Sequence, residues 1–501
     1  MTALKDRFMA AIQAYRAFWN PSITDGGYDS NRQARYQMAW AFYTNRVYDQ
    51  LSSYLAATYP AGSQLYKYTK GLRNPIPSWV DFYVTNTWGG TLDLEAGNGQ
   101  EKPSALPIVT ENDALRPAIA KLWQWSNWNA KRLLVTLNSA SMGDAFIVVV
   151  DSPRSRKAYM QVRRPNEFTD VEWDDFGHIK QCVMEYRTED DQGKPYTFKQ
   201  VIEHPLVWGG KFTRYSTYKD NKPFAYPENQ LDGTATWQWE VPYDFVPVVH
   251  VPFKDTGDGW GALGYSATIP KIDAANSLAS LLNTQIGKTV NPAYVSYGVQ
   301  AGNITLGSGD DSMQDEIPIL YIPKPPGEAD LRPLITQIDL PGALALLDAQ
   351  LADIARDLPE LRMSEAMRSG LSGEALGRAF ADVAARIGAT RGNHDSGLVR
   401  AHQMAIAIAG ASGYDRAFSG FDYNSFKSGL LDHGIGDRPI LPTSNSEAID
   451  NDGKRWVQVG QAVQAGVPVE TALREIMGWE DDDFEAMDAD RQAGFITDNE
   501  Q

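Results

Sequence analysis

Pro341-Gly342-Ala343-Leu344-Ala345-Leu346-Leu347-Asp348-Ala349-Gln350-Leu351-Ala352-Asp353-Ile354-Ala355-Arg356-Asp357-Leu358-Pro359 is the stretch on which the fold turns. Leu344, Leu347, Leu351, Ile354 and Leu358 follow one another at spacings of three, four, three and four residues. That two-heptad pattern belongs to a helix whose apolar seam packs laterally against other helices. Pro359 ends or sharply kinks it, because proline lacks an N–H and pushes the preceding residue out of helical geometry.

Upstream, a helix is expected over Ser266–Lys288, with Ser266 as N-cap, Pro270 near its start, and Ile272, Leu278, Leu282 and Ile286 on one face. Between the two helices lies a compact stretch with strand-like Ala293–Tyr297 and Ile317–Ile322. It also holds a Gly/Ser/Asp loop at Gly307–Ser312 and the cluster Pro323-Lys324-Pro325-Pro326. Downstream, Arg362 to Gly370 reads as a loop and Ser372 as a cap. Leu376, Phe380, Val383 and Ile387 then open a long helix. Gly392-Asn393 marks a place for a break, after which the helix resumes through Val399 to Ala409. Helices at Ser446–Ala465 and Val469–Met477, joined by Gly466-Val467-Pro468, precede an acidic end.

The N-terminal part reads as helical to about residue 73, with Tyr36, Trp40 and Tyr43 on one helix face beside interleaved arginines. Such a face can stack bases, but more commonly packs on a core with arginine stems along its edge. Asn74-Pro75-Ile76-Pro77 interrupts this pattern, and one helix is expected after Arg116-Pro117, carrying Leu122, Trp125, Trp128 and Leu133. From about Ala145 to Pro252 the apolar period changes to two. Ala145–Asp151, Ala158–Arg163, Ile179–Arg187, Tyr196–His204, Lys211–Tyr218, Thr236–Val241 and Val246–Pro252 read as strands of an antiparallel, meander-like region. The class is α+β.

The chain has 501 residues, 43% apolar and 22% charged, which describes a folded protein. Its 46 basic and 63 acidic residues give a net charge of −17, the wrong sign for a basic nucleic-acid coat. The charge is uneven: residues 1–73 carry a net +5 and residues 441–501 a net −10. A single cysteine, Cys182, excludes a disulfide framework and a thiolate cluster. With no signal-peptide pattern, and apolar runs such as Met404 to Ala411 well short of the roughly 18 residues of a membrane span, a soluble protein of a reducing cytoplasm is expected.

Catalytic signatures are weak. Gly287-Lys288-Thr289 imitates the end of a P-loop, but Leu282 stands where the first glycine is required. Gly264-Tyr265-Ser266-Ala267-Thr268 lacks the second glycine of a nucleophile elbow. The histidines His178, His204, His250, His394, His402 and His433 are not spaced as helical metal ligands. Asp174-Asp175 and Asp310-Asp311 are the paired carboxylates weighed for acid–base or metal chemistry, and both fall in turn-like stretches.

The order of segments resembles the portal proteins of tailed bacteriophages, the ring at the head vertex through which DNA is packaged and ejected. The stretches that carry the resemblance are Arg46-Val47-Tyr48-Asp49, Phe245-Val246-Pro247-Val248-Val249, Ile269-Pro270-Lys271-Ile272-Asp273-Ala274-Ala275-Asn276-Ser277 and Ser369-Gly370-Leu371-Ser372-Gly373-Glu374-Ala375-Leu376. The resemblance implies a wing over residues 1–261, helical to 144 and β-rich over 145–261. A stem helix over 262–289, a small α/β clip over 290–340 and a second stem helix over 341–358 follow. A tunnel loop over 359–372, a long wing helix with its following segment over 373–440, and a helical crown over 441–501 complete the chain.

It further implies a homo-oligomeric ring of about twelve subunits, closed through a heterologous interface. The implied partners are double-stranded DNA, the terminase large subunit, a head–tail adaptor, and the major capsid and scaffolding proteins, with no membrane and no cofactor. The chain would sit at the virion portal vertex after assembly in the host cytoplasm, and would be non-enzymatic. Under this reading Leu344, Leu347, Leu351, Ile354 and Leu358 pack the stem, and Lys271, Lys288, Arg362 and Arg368 are the DNA-channel candidates. Asp310, Asp311, Lys324 and Pro325 are the clip docking candidates. The competing readings are a carbohydrate-active hydrolase with paired carboxylates, for which 14 Trp and 23 Tyr could line a cleft, and another structural protein of the virion.

Overall fold

The computed structural model describes residues 28–47, 73–89, 106–190, 192–226, 236–257, 259–290, 293–297, 319–322, 330–334, 340–362, 381–436, 438, 445–479, 484 and 487. The first helices among the described residues are α1 (Tyr28–Tyr43) and α2 (Ile76–Asn86). Asn74-Pro75-Ile76-Pro77 thus starts a helix as well as ending a pattern. Pro77 lies in the first turn, where its missing N–H has no partner to lose. The Asn74 side chain accepts the Ile76 N–H at 3.1 Å and donates to the Phe42 carbonyl at 2.6 Å.

Strand β1 (Ile108–Val109) precedes α3 (Leu115–Ser126) and α4 (Trp128–Met142). The single helix expected after Arg116-Pro117 is therefore two, broken at Asn127, whose φ of 49° is left-handed, a conformation that asparagine tolerates. Trp128 is buried at the start of α4, and Leu133 is exposed.

The β-rich stretch comprises β2 (Asp144–Ser152), β3 (Lys157–Arg163), β4 (Phe168–Trp173), β5 (Ile179–Glu189), β6 (Pro195–Glu203), β7 (Thr213–Lys219), β8 (Lys222–Pro223), β9 (Gln238–Val241) and β10 (Val248–Pro252). All seven expected strands form; β4 and β8 are additional. The expected meander is instead two sheets. One has the order β10-β2-β3, and the other runs β4-β5-β6-β7-β8 with β9 also on β7. Every pairing in both is antiparallel. β10 returns across more than ninety residues to pair with β2, Val248 opposite Val148, so the first sheet is closed by a contact distant in the chain.

A 3₁₀ turn at Ser266–Thr268 leads into α5 (Ile269–Val290), so Ser266 opens the turn and does not cap the helix. β11 (Ala293–Tyr297), β12 (Ile319–Ile322) and β13 (Asp330–Leu334) form a mixed sheet in which β11 is parallel to β12 and antiparallel to β13. Pro333 lies on the edge strand β13, where a missing donor is tolerated. Then come α6 (Leu340–Asp357), ending before Pro359 as expected, and α7 (Ala381–Ala411). α7 is unbroken at Gly392-Asn393, because both sides of that pair are fastened by tertiary contacts. α8 (Tyr423–Ser428), β14 (Gly434–Ile435, paired with β1), α9 (Asn445–Gln464) and α10 (Val469–Ala472) follow.

The described residues of 1–81 and 263–365 make one compact unit, and those of 82–262 and 366–501 a second. In the second, α3, α4 and α7 cover the β10-β2-β3 sheet. Its core includes Trp123, Phe146, Phe168, Val251, Leu398, Met404 and Phe418. In the first, Tyr265 is fully buried, edge-on to Trp79 with ring centroids 5.4 Å apart. Overall the described chain is α+β.

Candidate assembly site on a helical hairpin

α5 and α6 run antiparallel, since the start of α5 is tied to the end of α6. Lys271 Nζ lies 2.7 Å from Asp357 Oδ2 and 3.3 Å from Asp353 Oδ2, and Asp353 also takes Arg356 Nη1 at 3.0 Å. The hydrogen bonds to Asp357 and then Asp353 raise the Lys271 pKa above the ordinary lysine value. Beneath this exposed network Ile272, Ala275, Ile354 and Leu358 are buried. The Asn276 side chain donates to the Arg73 carbonyl at 3.1 Å and accepts the Arg73 N–H at 3.0 Å, fastening α5 to the segment before α2.

Burial falls off toward the other end of the hairpin. Ile354 is 5% and Leu358 1% exposed, whereas Leu344 is 45%, Leu346 53% and, at the end of α5, Ile286 40% exposed. Leu347 and Leu351 are half-buried between them. Leu344 of the heptad seam and Ile286 of α5 are thus left exposed, while Leu282 on α5 is still buried and Leu346 lies off the seam. Covering each bare leucine would contribute roughly 1–2 kcal/mol, which gives this end a drive to associate.

Of the expected channel residues, Lys271 has its charge matched by Asp353 and Asp357, and Arg362 is exposed just beyond α6. Lys288 lies in α5 but its side chain is outside the described residues, as is the whole of Arg368. Asp310, Asp311, Lys324 and Pro325 also lie outside them. Gly287-Lys288-Thr289 is helical backbone, not a phosphate loop.

The second unit has a cleft of about 900 Å³ lined by the β4–β5 turn, β10, α7 and α8. Its lining mixes Lys180, Arg400 and Lys427 with Asp174, Asp175, Asp244 and Asp255. Lys427 pairs with Asp244 at 2.6 Å and Lys180 with Glu172 at 3.2 Å. Asp174 holds its own turn, accepting the N–H groups of Phe176 at 2.9 Å and His178 at 2.8 Å. Partial burial, which would raise its pKa, is outweighed by these bonds and by His178, so Asp174 stays below the usual carboxylate range. That is opposite to what a general acid requires.

The histidines gather on the second unit's core in ways their spacing did not suggest. His250 Nε2 lies 2.6 Å from Asp144 Oδ1, which also accepts the Gly261 N–H at 2.6 Å. His394 contacts Ser139 Oγ at 3.0 Å and the Thr390 carbonyl at 2.8 Å, and burial pushes it down to about 4. His402 bridges Trp123 and His433. Apart from Thr390 on α7 itself, these partners come from separate elements, so only apolar neighbours in a helix pattern could have hinted that His394 and His402 face inward.

No protein-family model matches the chain, and no curated protein is significantly similar to it. Among solved structures, a chain in the neck of a native gene transfer agent particle, determined with C12 symmetry, has 13% identity and a TM-score of 0.34, with 79% of this chain and 90% of that one covered. A chain of the virion of a native gene transfer agent particle has 13% identity and a TM-score of 0.33, with 83% and 99% covered. A chain in the neck of an empty particle, determined with C6 symmetry, has 14% identity and a TM-score of 0.34, with 83% and 98% covered. At these scores the likeness does not define a shared fold. Among the described residues no helix is long and apolar enough to cross a membrane.

Proposed function

We propose that the chain is a structural subunit of a phage-like virion, and specifically a portal subunit. About twelve copies would close a ring at the capsid vertex through which double-stranded DNA is packaged and ejected. The observation that carries this reading is the α5–α6 hairpin, whose seam is buried at Ile354 and Leu358 and bare at Leu344 and Ile286, with Leu346 exposed beside it. Lateral neighbours around a ring can cover such a seam on every copy. In this reading residues 262–289 and 341–358 form the stem, 290–340 the clip and 359–372 the tunnel loop. The wing comprises 1–261 and 373–440, and the crown 441–501.

The net charge of −17 also fits a conduit. Each phosphate neutralised by a protein cation adds salt-dependent affinity, so a strongly basic wall would hold DNA and an acidic one lets it pass. Lys271, matched by two aspartates, contributes little net attraction, which leaves Arg362, with Lys288 and Arg368, as the centring cations of the proposal. The clip candidates Asp310, Asp311, Lys324 and Pro325 would meet the terminase motor and later the head–tail adaptor.

Mass from light scattering and negative-stain images of the purified chain, alone and with a scaffolding protein, test the proposal. Large closed rings are expected, and Leu351→Asp should abolish them by setting an unpaired charge in the apolar seam while circular dichroism is kept. A chain that remains a monomer or dimer in both settings, or rings that persist in the variant, would overturn it.

A further inference from the structure

Trp123, His402 and His433 form a hydrogen-bonded relay in the second unit whose every proton can be placed. Trp123 Nε1–H donates to His402 Nε2 at 2.9 Å. An indole nitrogen only donates, so His402 Nε2 is bare and the neutral ring carries its proton on Nδ1. That Nδ1 lies 3.1 Å from His433 Nε2, and His433 Nδ1 lies 2.8 Å from the Leu431 carbonyl. A carbonyl only accepts, so His433 Nδ1 holds the proton and its Nε2 receives the N–H of His402. The two rings have centroids 5.3 Å apart and planes within 19°, the arrangement of imidazoles joined edge to edge. A further proton on His402 would have to enter at Nε2, against the Trp123 N–H. On His433 it would enter at Nε2, against the His402 N–H.

The relay joins α3, α7 and the segment 430–436 that carries β14. That segment is also held by Asn112 on the Leu430 carbonyl at 3.1 Å, Thr110 on the Asp432 carbonyl at 3.3 Å, Gln403 on Asp432 Oδ1 at 3.2 Å and on the Leu431 carbonyl at 3.4 Å, and the Gly436 N–H on the Pro107 carbonyl at 3.0 Å, with the short β1–β14 ladder. Of the charged groups on α3 and α7, Arg116 is paired with Asp113 at 3.7 Å, Asp395 with Arg438 at 2.8 Å, and Arg400 lies over the Phe426 ring. Asp432 lies beside His433 and favours its protonation; Lys121 on α3 is paired with Asp415 at 3.3 Å; β1 and β14 contain no charged residue. Burial holds both imidazoles below the ordinary histidine value, with His433 further depressing His402.

We propose that Trp123, His402 and His433 are an acid-sensitive latch, which keeps residues 430–436 on α7 while both rings are neutral and releases them when either is protonated. Because both folded values are lowered, the latch is at full strength above about pH 6.5 and weakens as pH falls below it. Each histidine lowers the closed-to-open ratio by up to about tenfold per pH unit, and the two together by up to about a hundredfold. His394, which is fastened to Ser139 and Thr390 within the core, stays buried when only 430–436 opens and does not bias this step.

Hydrogen–deuterium exchange of the full chain between about pH 7.5 and 5, corrected for intrinsic rates, reads the latch directly. Peptides spanning 430–436 and 106–112 are expected to lose more than tenfold of their protection below pH 6.5, while β5 and β6 keep theirs. His433→Gln retains an acceptor oxygen for the His402 N–H but cannot titrate, and should about halve the pH slope. Protection over 430–436 that does not change with pH, loss of equal size in β5 and β6, or a wild-type slope in H433Q would overturn the proposal. The wild-type series decides it even if the variant fails to fold.

Discussion

Arg438 and Arg391 show how much one side chain can fasten. Arg438 grips Asp395 with two bonds, Nη1 to Oδ2 and Nη2 to Oδ1, each 2.8 Å, and Nη2 also reaches the Thr87 carbonyl at 3.1 Å. Arg391 donates to the carbonyls of Thr87 at 2.9 Å, Arg438 at 2.7 Å and Asn86 at 2.8 Å, so three backbone groups hold its buried guanidinium. Burial raises the Asp395 pKa and Arg438, with a smaller contribution from Arg391, opposes that shift, so removing Arg438 leaves a mostly buried carboxylate without its hydrogen-bonded counter-charge. Arg438→Ala is expected to cost about 3 kcal/mol, seen as a lower urea midpoint for the second unit. Arg438→Lys should recover only part of this, because an ammonium cannot match both carboxylate oxygens. An unchanged midpoint in the alanine variant would remove the pair from the stability account. Neither arginine stood out in the sequence, since their partners, backbone carbonyls up to 351 residues away and the Asp395 carboxylate 43 residues away, carry no sequence signature.

At the scale of elements, α7 is where local pattern and tertiary structure differ most. Four glycines, Gly388, Gly392, Gly397 and Gly410, interrupt it, and the pair Gly392-Asn393 reads as a break. The helix continues because its buried residues, from Val383 and Ile387 to Leu398 and Met404, pack on β2, β3 and β10. Gly397 is required: a Cβ there would come within 2.6 Å of Val251 Cγ2. Gly388 and Gly392 face open space. Gly397→Val should therefore destabilise by roughly 1–3 kcal/mol through overpacking, whereas Gly388→Ala and Gly392→Ala should each stabilise by about 0.5–1 kcal/mol. Thermal unfolding of the three variants separates the two kinds of glycine. The opposite order would mean that α7 does not pack on β10 as described.

For the whole molecule, the proposed ring sets the terms. About twelve copies carry a total on the order of minus two hundred charges, so the few channel cations would centre the duplex without holding it. Reversing Arg362 and Arg368 together to glutamate should leave rings intact and change packaged-genome length or head stability. Unaltered packaging would move the tunnel loop elsewhere in the chain. The sequence by itself determined the elements whose signal is local. These are the seven strands of the period-two stretch, the seam from Leu344 to Leu358, and the stop at Pro359. Each follows from side-chain spacing and backbone chemistry within a few residues. Tertiary structure alone decided that the strands divide into two sheets, that α7 runs unbroken, that Leu344 and Ile286 are left exposed on the hairpin, and that His402 meets His433. Those outcomes depend on partners remote in the chain, and spacing along a sequence does not encode which remote group satisfies a buried donor or covers an apolar face.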